Sequence, residues 1–236
     1  MKIKDFKKEY CSGCSACYSV CPEKCISMQE DPEGFLYPIV DIDNCIDCNL
    51  CENVCHGTAS LTERRPVSVY AAKNPDDGVR SASSSGGIFT IIAEQIIKEG
   101  GVVFGACFND RWEVIHDFVE SEDKLFAFRG SKYIQSRTGD GYNKVKLFLG
   151  QGRMVLYAGT PCQIAGLKLF LRKEYENLVT VDLVCHGVPS PLIWRSYLTE
   201  MQSNLYPPPN LILFQITSLF FLHTRNSHAD IQNYHC

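Results

Sequence analysis

The spacing of apolar residues predicts helices and strands in turn from residue 88 onward. The stretch Ile88 to Glu99 has the spacing of a helix and ends at the glycine pair Gly100-Gly101, which is typical of a helix C-terminus. Apolar residues 102–108 then indicate a buried strand, and the alternation over Trp112 to Val119 indicates a second strand. This succession favours an α/β or mixed layered fold.

The second half of the chain repeats the same kind of unit. Tyr142 to Leu149 carries a helical stripe, and residues 153–158 form an apolar strand that runs directly into Gly159-Thr-Pro-Cys-Gln. Gln163 to Leu171 continues as a helix, and Val179 to Cys185 reads as a further strand. A tight turn from a strand into a helix is where open α/β sheets bind ligands.

Four smaller elements complete the expected pattern. Short strands should surround a turn at Gly34, and residues 67–72 alternate as a strand does. Residues 122–128 look helical. His116 falls on the polar side of its strand, so we expect a solvated histidine rather than a metal ligand.

Thirteen cysteines are heavy usage for 236 residues, and nine of them lie between Cys11 and Cys55. The N-terminus is charged and has no apolar signal region, which favours an intracellular address and metal ligation over disulfides. We therefore expect a cytoplasmic protein. No apolar run reaches the length that spans a bilayer, so we expect no membrane span. A net charge of -4 argues against nucleic acid as a partner.

The cysteines form one pattern twice, C-x2-C-x2-C-x3-C, and the second copy starts 34 residues after the first. Three cysteines of such a run ligate one [4Fe–4S] cluster, and the fourth ligates the other cluster. The first cluster would therefore be held by Cys11, Cys14, Cys17 and Cys55, and the second by Cys45, Cys48, Cys51 and Cys21. Zinc is the alternative, but its sites take four ligands and this spacing over-supplies them. Cys25 is surplus and is expected to be a small buried apolar residue.

Two segments have the composition of an anion-binding site. Serines and paired glycines precede the helix that starts at Ile88, and backbone N–H groups at a helix start can receive phosphate. A simple N-cap with a flexible lead-in explains the same residues equally well. Lys132 beside Gly130 could hold an anionic cofactor or form an ordinary basic turn. Cys162, at the start of a helix, is either a stabilised thiolate or a packing residue.

Taken together, five motifs resemble the coenzyme F-420 hydrogenase/dehydrogenase beta-subunit family: the double cysteine run, the serine–glycine segment from Ser84, Gly130-Ser-Lys-Tyr-Ile-Gln-Ser, Gly159-Thr-Pro-Cys-Gln-Ile-Ala-Gly-Leu and Cys185-His-Gly-Val-Pro-Ser. The resemblance covers about residues 5 to 200. It implies an iron–sulfur flavoprotein in which electrons pass through bound FAD to a deazaflavin or another two-electron acceptor. It also implies the residues that line the flavin site: Ser84, Ser85, Gly86, Gly87, Lys132, Gly159, Thr160, Pro161, Cys162 and Gln163.

The last 36 residues differ from the rest in composition. From Met201 onward only Arg225 and Asp230 are charged and there is no glycine, whereas the first 200 residues carry all 17 glycines. This ending is unlike the resembled family, and it predicts a truncated or frame-shifted product with an atypical tail over residues 201–236. An incomplete flavin site would be one consequence.

The predicted fold class is α+β, with a bacterial two-cluster ferredoxin-like module fused to an α/β flavoprotein-type domain. The module covers residues 1–60 and the α/β domain covers 61–200, divided into parts at about 66–150 and 151–200. The predicted function is an oxidoreductase that passes electrons between two [4Fe–4S] clusters and a flavin-type acceptor, with a redox protein or a small molecule as partner. The alternative is a ferredoxin-like electron carrier without catalytic activity.

Overall fold

The structure is a computed structural model, and it describes residue 3, residues 8–58 and residues 66–204, with the side chain of residue 204 left out. The chain divides into two compact units, Met1–Pro191 and Leu192–Cys236. In the second unit the described residues belong to one helix. The helices are α1 (Ala16–Val20), α2 (Leu50–Asn53), α3 (Asp77–Ser81), α4 (Ile88–Lys98), α5 (Gly141–Gly150), α6 (Pro161–Leu171) and α7 (Pro191–Asn204). The strands are β1 (Ile26–Glu30), β2 (Leu36–Val40), β3 (Val102–Phe108), β4 (Val114–Val119), β5 (Val155–Gly159) and β6 (Leu178–Asp182).

Strands β1 and β2 form an antiparallel hairpin within the cysteine-rich part of the chain. Ile26 pairs with Val40 at one end and Glu30 with Leu36 at the other. The connecting turn contains Gly34 at φ +82°, a left-handed conformation that glycine adopts without steric cost. The predicted short strands around this turn are confirmed.

Four strands form a mixed sheet in the order β4-β3-β5-β6. Strand β3 pairs antiparallel with β4 and parallel with β5, and β5 pairs parallel with β6. Helix α4 ends before the glycine pair as predicted, and residues 122–128 form a 3-10 helix. The last strand stops at Asp182, three residues before the predicted end at Cys185.

The sheet is covered on both faces, so the fold has three layers. One face buries Phe104, Tyr157 and Val155 against α5 and α6. The opposite face buries Val103 and Leu156 against α4 and the 3-10 helix. Alternate residues of β3 and β5 thus point into different cores, which explains why their sequences are almost continuously apolar. The expectation of an α/β layered body is confirmed.

The cysteine-rich part packs directly on this body. Ala16 of α1 and Val54 lie in the same buried core as Leu167 of α6. The Gln135 side-chain carbonyl accepts a hydrogen bond from the Leu36 backbone N–H at 2.9 Å. Arg137 forms a salt bridge with Glu30 at 2.9 Å. These contacts join the first 58 residues and the sheet into one compact unit.

Two local predictions are wrong. Residues 67–72, all of them described, form no strand, because no neighbouring strand pairs with them and their side chains stay exposed. His116 is not solvated: it is only 8% exposed and its ring stacks on Tyr157 with the centroids 5.3 Å apart. His116 is buried because it shares its face of β4 with Val114 and Phe118, and this face packs on the core that contains Tyr157.

Among the described residues, no helix has the combination of length and apolar character needed to cross a bilayer.

Candidate functional site: two thiol-lined pockets and the adjoining strand–helix turn

The sequence repeat is also a repeat of backbone conformation. Gly13 and Ser15 have φ of +69° and +65°, and the residues 34 positions later, Asp47 and Asn49, have φ of +52° and +59°. Ser15 precedes α1 and Asn49 precedes α2, so each cysteine run starts as a left-handed loop and enters a short helix. Such a loop turns successive cysteines of the run toward the same side. The two runs therefore present their thiols in the same way.

Each of two pockets is lined by four of the predicted cluster ligands. The first, of about 20 Å³, is lined by Cys11, Cys14, Cys17 and Cys55. We call it the inner pocket. The second, of about 40 Å³, is lined by Cys21, Cys45, Cys48 and Cys51, and also by Cys25. We call it the outer pocket.

The crossed grouping follows from the way the two runs lie side by side. Helices α1 and α2 pack together, so the last cysteine of each run, Cys21 or Cys55, reaches the pocket of the other run. The Ser12 hydroxyl and the His56 Nε2 atom are 2.7 Å apart and join the two runs at the inner pocket. His56 takes the place of the proline that follows Cys21 in the first run.

The thiols of the inner pocket are strongly desolvated. Burial raises the pKa of Cys14 to about 12 and also raises the pKa of Cys17. Burial raises the pKa of Cys11, and the nearby thiols of Cys55 and Cys162 raise it further. Four thiolates crowded in such a pocket need bound cations to be stable. The donor set thus fits an iron–sulfur cluster, in which each iron takes one thiolate.

Among the described residues, no group of three or more His, Cys, Asp or Glu side chains is placed to hold a single metal ion. Cys25 is buried, with its sulfur 3.4 Å from that of Cys21, and packs with Ile26 in the small core of the cysteine-rich part. This placement agrees with the expected role as a small buried apolar residue.

Two of the three segments predicted to line a flavin site contact each other. The Ser131 backbone N–H donates to the Ser84 hydroxyl at 2.6 Å across 47 residues of chain. Asn74 fixes the serine–glycine segment by donating from its backbone N–H to Gly86 and from its side chain to the Gly87 carbonyl. Gly87, at φ +71°, is the N-cap of α4.

Lys132 lies at the same edge of the sheet. Its ammonium group donates to the carbonyls of Ala127 at 2.7 Å and Arg129 at 2.9 Å. The Ala127–Arg129 turn that holds this ammonium packs against β3, since Phe128 lies against Gly105. The structure thus brings Lys132 toward the serine–glycine segment and anchors it on backbone carbonyls.

The turn between β5 and α6 is held by a buried polar network. The Gln163 side-chain carbonyl accepts from the Thr160 backbone N–H at 3.0 Å, and the Gln163 amide donates to the Ser136 hydroxyl at 2.8 Å. His116 continues the chain, with its Nδ1 atom 2.9 Å from the Ser136 hydroxyl and its Nε2 atom 3.1 Å from the Ala158 carbonyl oxygen. This network fixes the Gly159–Gln163 backbone at the carboxyl end of β5.

Cys162 occupies the second position of α6, next to Pro161, as predicted. Its sulfur is 3.1 Å from the Thr160 hydroxyl oxygen. Helix α6, which begins at this turn, packs against α1, and its Gly166 lies against Cys14 of the inner pocket. The inner pocket and the β5–α6 turn are therefore neighbours.

Gly166 makes this proximity possible. A Cβ atom at this position would lie 2.9 Å from the Cys14 sulfur and 3.2 Å from the Tyr142 hydroxyl oxygen. Helix α6 can approach the first cysteine run only because this position has no side chain. Sequence reasoning missed Gly166, Ser136 and His116, and only the glycine in Gln163-Ile-Ala-Gly offered a local signal.

We expect Gly166→Ala to separate α6 from the inner pocket, because the added carbon meets Cys14 and Tyr142 closer than normal packing allows. The free energy of unfolding should fall by about 1–2 kcal/mol, and iron should be released faster to a chelator. Gly150→Ala is the matched control, since nothing lies within 4 Å of a Cβ atom at the end of α5. Equal effects of the two substitutions would contradict the role of Gly166.

The fold and the pockets define a class of protein, a redox protein in which a two-run cysteine module is built onto a three-layer α/β body. Residues 10–59 match the 4Fe-4S dicluster domain. Residues 69–139 match the N-terminal part of the coenzyme F420 hydrogenase/dehydrogenase beta subunit, and residues 152–232 match its C-terminal part. The chain belongs to the coenzyme F420 hydrogenase/dehydrogenase beta subunit family, with a 4Fe-4S dicluster domain at its N-terminal end. It is an iron–sulfur electron-transfer member of that family.

Two individual proteins are similar to parts of this chain. An uncharacterized ferredoxin of Methanocaldococcus jannaschii is 35% identical over 70 residues, which is 30% of this chain and 83% of that protein. A chain of the F420-reducing [NiFe] hydrogenase complex from Methanosarcina barkeri superposes with a TM-score of 0.45 at 19% identity, covering 56% of this chain and 49% of that one. The chain thus spans about half the length of that hydrogenase chain.

The match to the C-terminal part includes residues 201–232, most of the stretch that the sequence set apart as atypical. The structure of this stretch beyond Asn204 lies outside the described residues. The truncated or frame-shifted ending therefore stays a prediction.

Proposed function

We propose that this protein carries single electrons on two [4Fe–4S] clusters and passes them to a flavin-type cofactor at the β5–α6 turn. The observation that supports this most directly is the crossed grouping of eight cysteines around two pockets. Each pocket takes three cysteines from one run and one from the other, which is the ligand arrangement of two-cluster ferredoxins. Cys11, Cys14, Cys17 and Cys55 would hold one cluster, and Cys21, Cys45, Cys48 and Cys51 the other.

The second support is the position of the inner pocket. Cys14 packs against the core of the α/β body, and Gly166 of α6 lies against its sulfur. Electron transfer falls off steeply with distance, so a short path from the inner pocket to the carboxyl end of β5 suits transfer between them. This end of a parallel strand is also where α/β sheets bind cofactors.

The residues of the body would bind and orient the cofactor. Backbone N–H groups at the start of α4, after Ser84 and Ser85, and at the start of α6, after Thr160, suit phosphate. Lys132 adds a positive charge at the same edge. The buried network through Gln163 and Ser136 would keep the β5–α6 turn rigid while the cofactor binds.

A flavin supplies the conversion between one-electron and two-electron transfer, which clusters do not perform. We infer FAD as the resident cofactor and a deazaflavin or another two-electron compound as the acceptor, with oxidoreductase activity as the result. The matched family is named for coenzyme F420, which supports a deazaflavin on the acceptor side. A redox protein, such as a partner subunit, or a small molecule would complete the reaction, and the protein would act in the cytoplasm.

A second function, electron carriage without a flavin, is favoured by one observation. The Lys132 ammonium group donates to two carbonyls of its own turn, so these two hydrogen bonds stabilise the turn and are not directed at a cofactor. In this case the body would serve only to dock a partner.

Anaerobic purification of the full chain tests these functions together. We expect about eight irons per chain and a brown absorbance from the two clusters, together with a yellow flavin released on denaturation. Iron without releasable flavin would support the carrier and reject the flavoenzyme. A colourless protein loaded with zinc would contradict both.

A further inference from the structure

The two pockets differ in their surroundings: the inner pocket lies against the α/β body, and the outer pocket does not. Cys14 at the inner pocket packs against the core of the α/β body, and Gly166 of α6 closes over its sulfur. The described residues that line the outer pocket all belong to the first 52 positions, and Cys48 among them is exposed. The outer pocket is therefore the end of the module that a second protein can approach.

The surface around the outer pocket is apolar and negatively charged. Ile42 and Ile46 are 65% and 61% exposed, and Ile46 lines the pocket itself. Glu23, Asp47 and Glu52 also line this pocket, and Asp43 is exposed between the two isoleucines. Residues 42–52 contain three carboxylates and no Lys or Arg, and Glu23 adds a fourth carboxylate next to the exposed Lys24. We call the surface formed by Glu23 and residues 42–52 the outer face.

We propose that the outer face docks a one-electron carrier protein that has a basic surface around its own redox centre. This inference rests on the proposed function, because it assumes a cluster in the outer pocket. Exposed apolar side chains next to several charges of one sign are typical of a transient docking surface, where charge steers the encounter and apolar contact stabilises it. Since the four carboxylates of the outer face outnumber the one neighbouring cation, Lys24, the complementary partner is basic.

The exchange at this surface moves one electron and no atoms. The reduced carrier loses one electron, the centre held by Cys21, Cys45, Cys48 and Cys51 gains it, and no covalent bond forms or breaks. Repetition of this step supplies the two electrons that the proposed acceptor needs. The inner pocket, closed by α6, would receive electrons only from within the protein.

A lysine-rich c-type cytochrome is a suitable probe, because it is a small one-electron carrier with a basic surface. Its affinity for the iron-loaded full chain is measured by calorimetry at about 20 mM and about 300 mM ionic strength. Attraction between the two charged surfaces is weakly screened at the lower concentration and strongly screened at the higher one. The triple variant Glu23→Gln, Asp43→Asn, Asp47→Asn neutralises the outer face; Asn also suits the positive φ of Asp47. We expect about tenfold weaker binding at low ionic strength.

The matched control removes three exposed carboxylates from the α/β body instead, through Asp110→Asn, Asp123→Asn and Glu176→Gln. This control should bind the cytochrome as the unmodified chain does. A third variant, Ile46→Ser, should weaken binding with an unchanged salt dependence, since it removes apolar contact and no charge.

Equal weakening by both triple variants would overturn the proposal, because only net charge would then matter. Unchanged affinity of the outer-face variant would overturn it too, as would stronger binding of an acidic carrier than of the cytochrome. Iron content and the visible spectrum of the same samples report on the clusters separately. A chain without iron contradicts the proposed function, whereas an iron-loaded chain with unaltered affinity contradicts only the docking surface.

Discussion

Replacing Cys21 by alanine should remove about half of the iron, and replacing Cys48 as well should remove no more. Cys21 belongs to the first run in sequence, but it lines the outer pocket together with Cys48. Both substitutions therefore remove a ligand of the same cluster. By contrast, Cys21→Ala combined with Cys14→Ala removes one ligand from each pocket and should leave almost no iron.

Iron and sulfide analysis of anaerobically purified variants, with electron paramagnetic resonance of the reduced samples, measures this result. Cys25→Ala is the control, because Cys25 is buried beside Cys21 but is surplus to both ligand sets, and all the iron should remain. If Cys21→Ala with Cys14→Ala kept half of the iron while Cys21→Ala with Cys48→Ala lost all of it, each run would hold its own cluster. The crossed assignment would then be wrong.

The free energy of unfolding should decrease as the pH is lowered, because of His116. Burial lowers the pKa of His116 to about 4, a net value that includes a hydrogen bond to Ala158, which raises it, and the Lys132 ammonium, which lowers it. In the unfolded chain the pKa of histidine is about 6.5. Below that pH the unfolded chain holds one more proton than the folded protein, so the free energy of unfolding decreases by about 1.4 kcal/mol per pH unit.

This contribution is fully present above pH 6.5 and is lost as the pH falls toward 4, for a total of about 3 kcal/mol. Anaerobic unfolding by denaturant between about pH 7.5 and 5.5 measures how this contribution to the free energy of unfolding changes before acid damages the clusters. His116→Gln has no titrating group at this position, and its stability should decrease less steeply over that interval. Parallel pH profiles for the two proteins would show that His116 does not titrate on unfolding.

The cysteine module could be predicted almost entirely from the sequence. The spacing within each run and the offset of 34 residues indicated two clusters with exchanged fourth ligands, and the structure groups the same cysteines around two pockets. Local spacing was enough because three ligands of each cluster lie within seven residues, where loop geometry determines their positions. The ligand roles themselves stay a prediction until iron is measured.

The order of strands and helices was also predictable, because apolar periodicity is a local property. The errors arose where burial depends on distant segments. His116 looks polar within its strand, but α6 and the Ser136 segment cover it. Residues 67–72 look like a strand, but no strand in the described part of the chain pairs with them.

By itself, the sequence determined the family, the iron–sulfur chemistry and the alternation of elements, because each of these depends on residue types at short spacing. Only the tertiary structure decided that the inner pocket adjoins the β5–α6 turn while the outer pocket stays open. That distinction depends on Gly166 of α6 meeting Cys14 across 152 residues of chain. Contacts at such separation result from packing, since a glycine in a helix gives no local indication of which segment will lie against it.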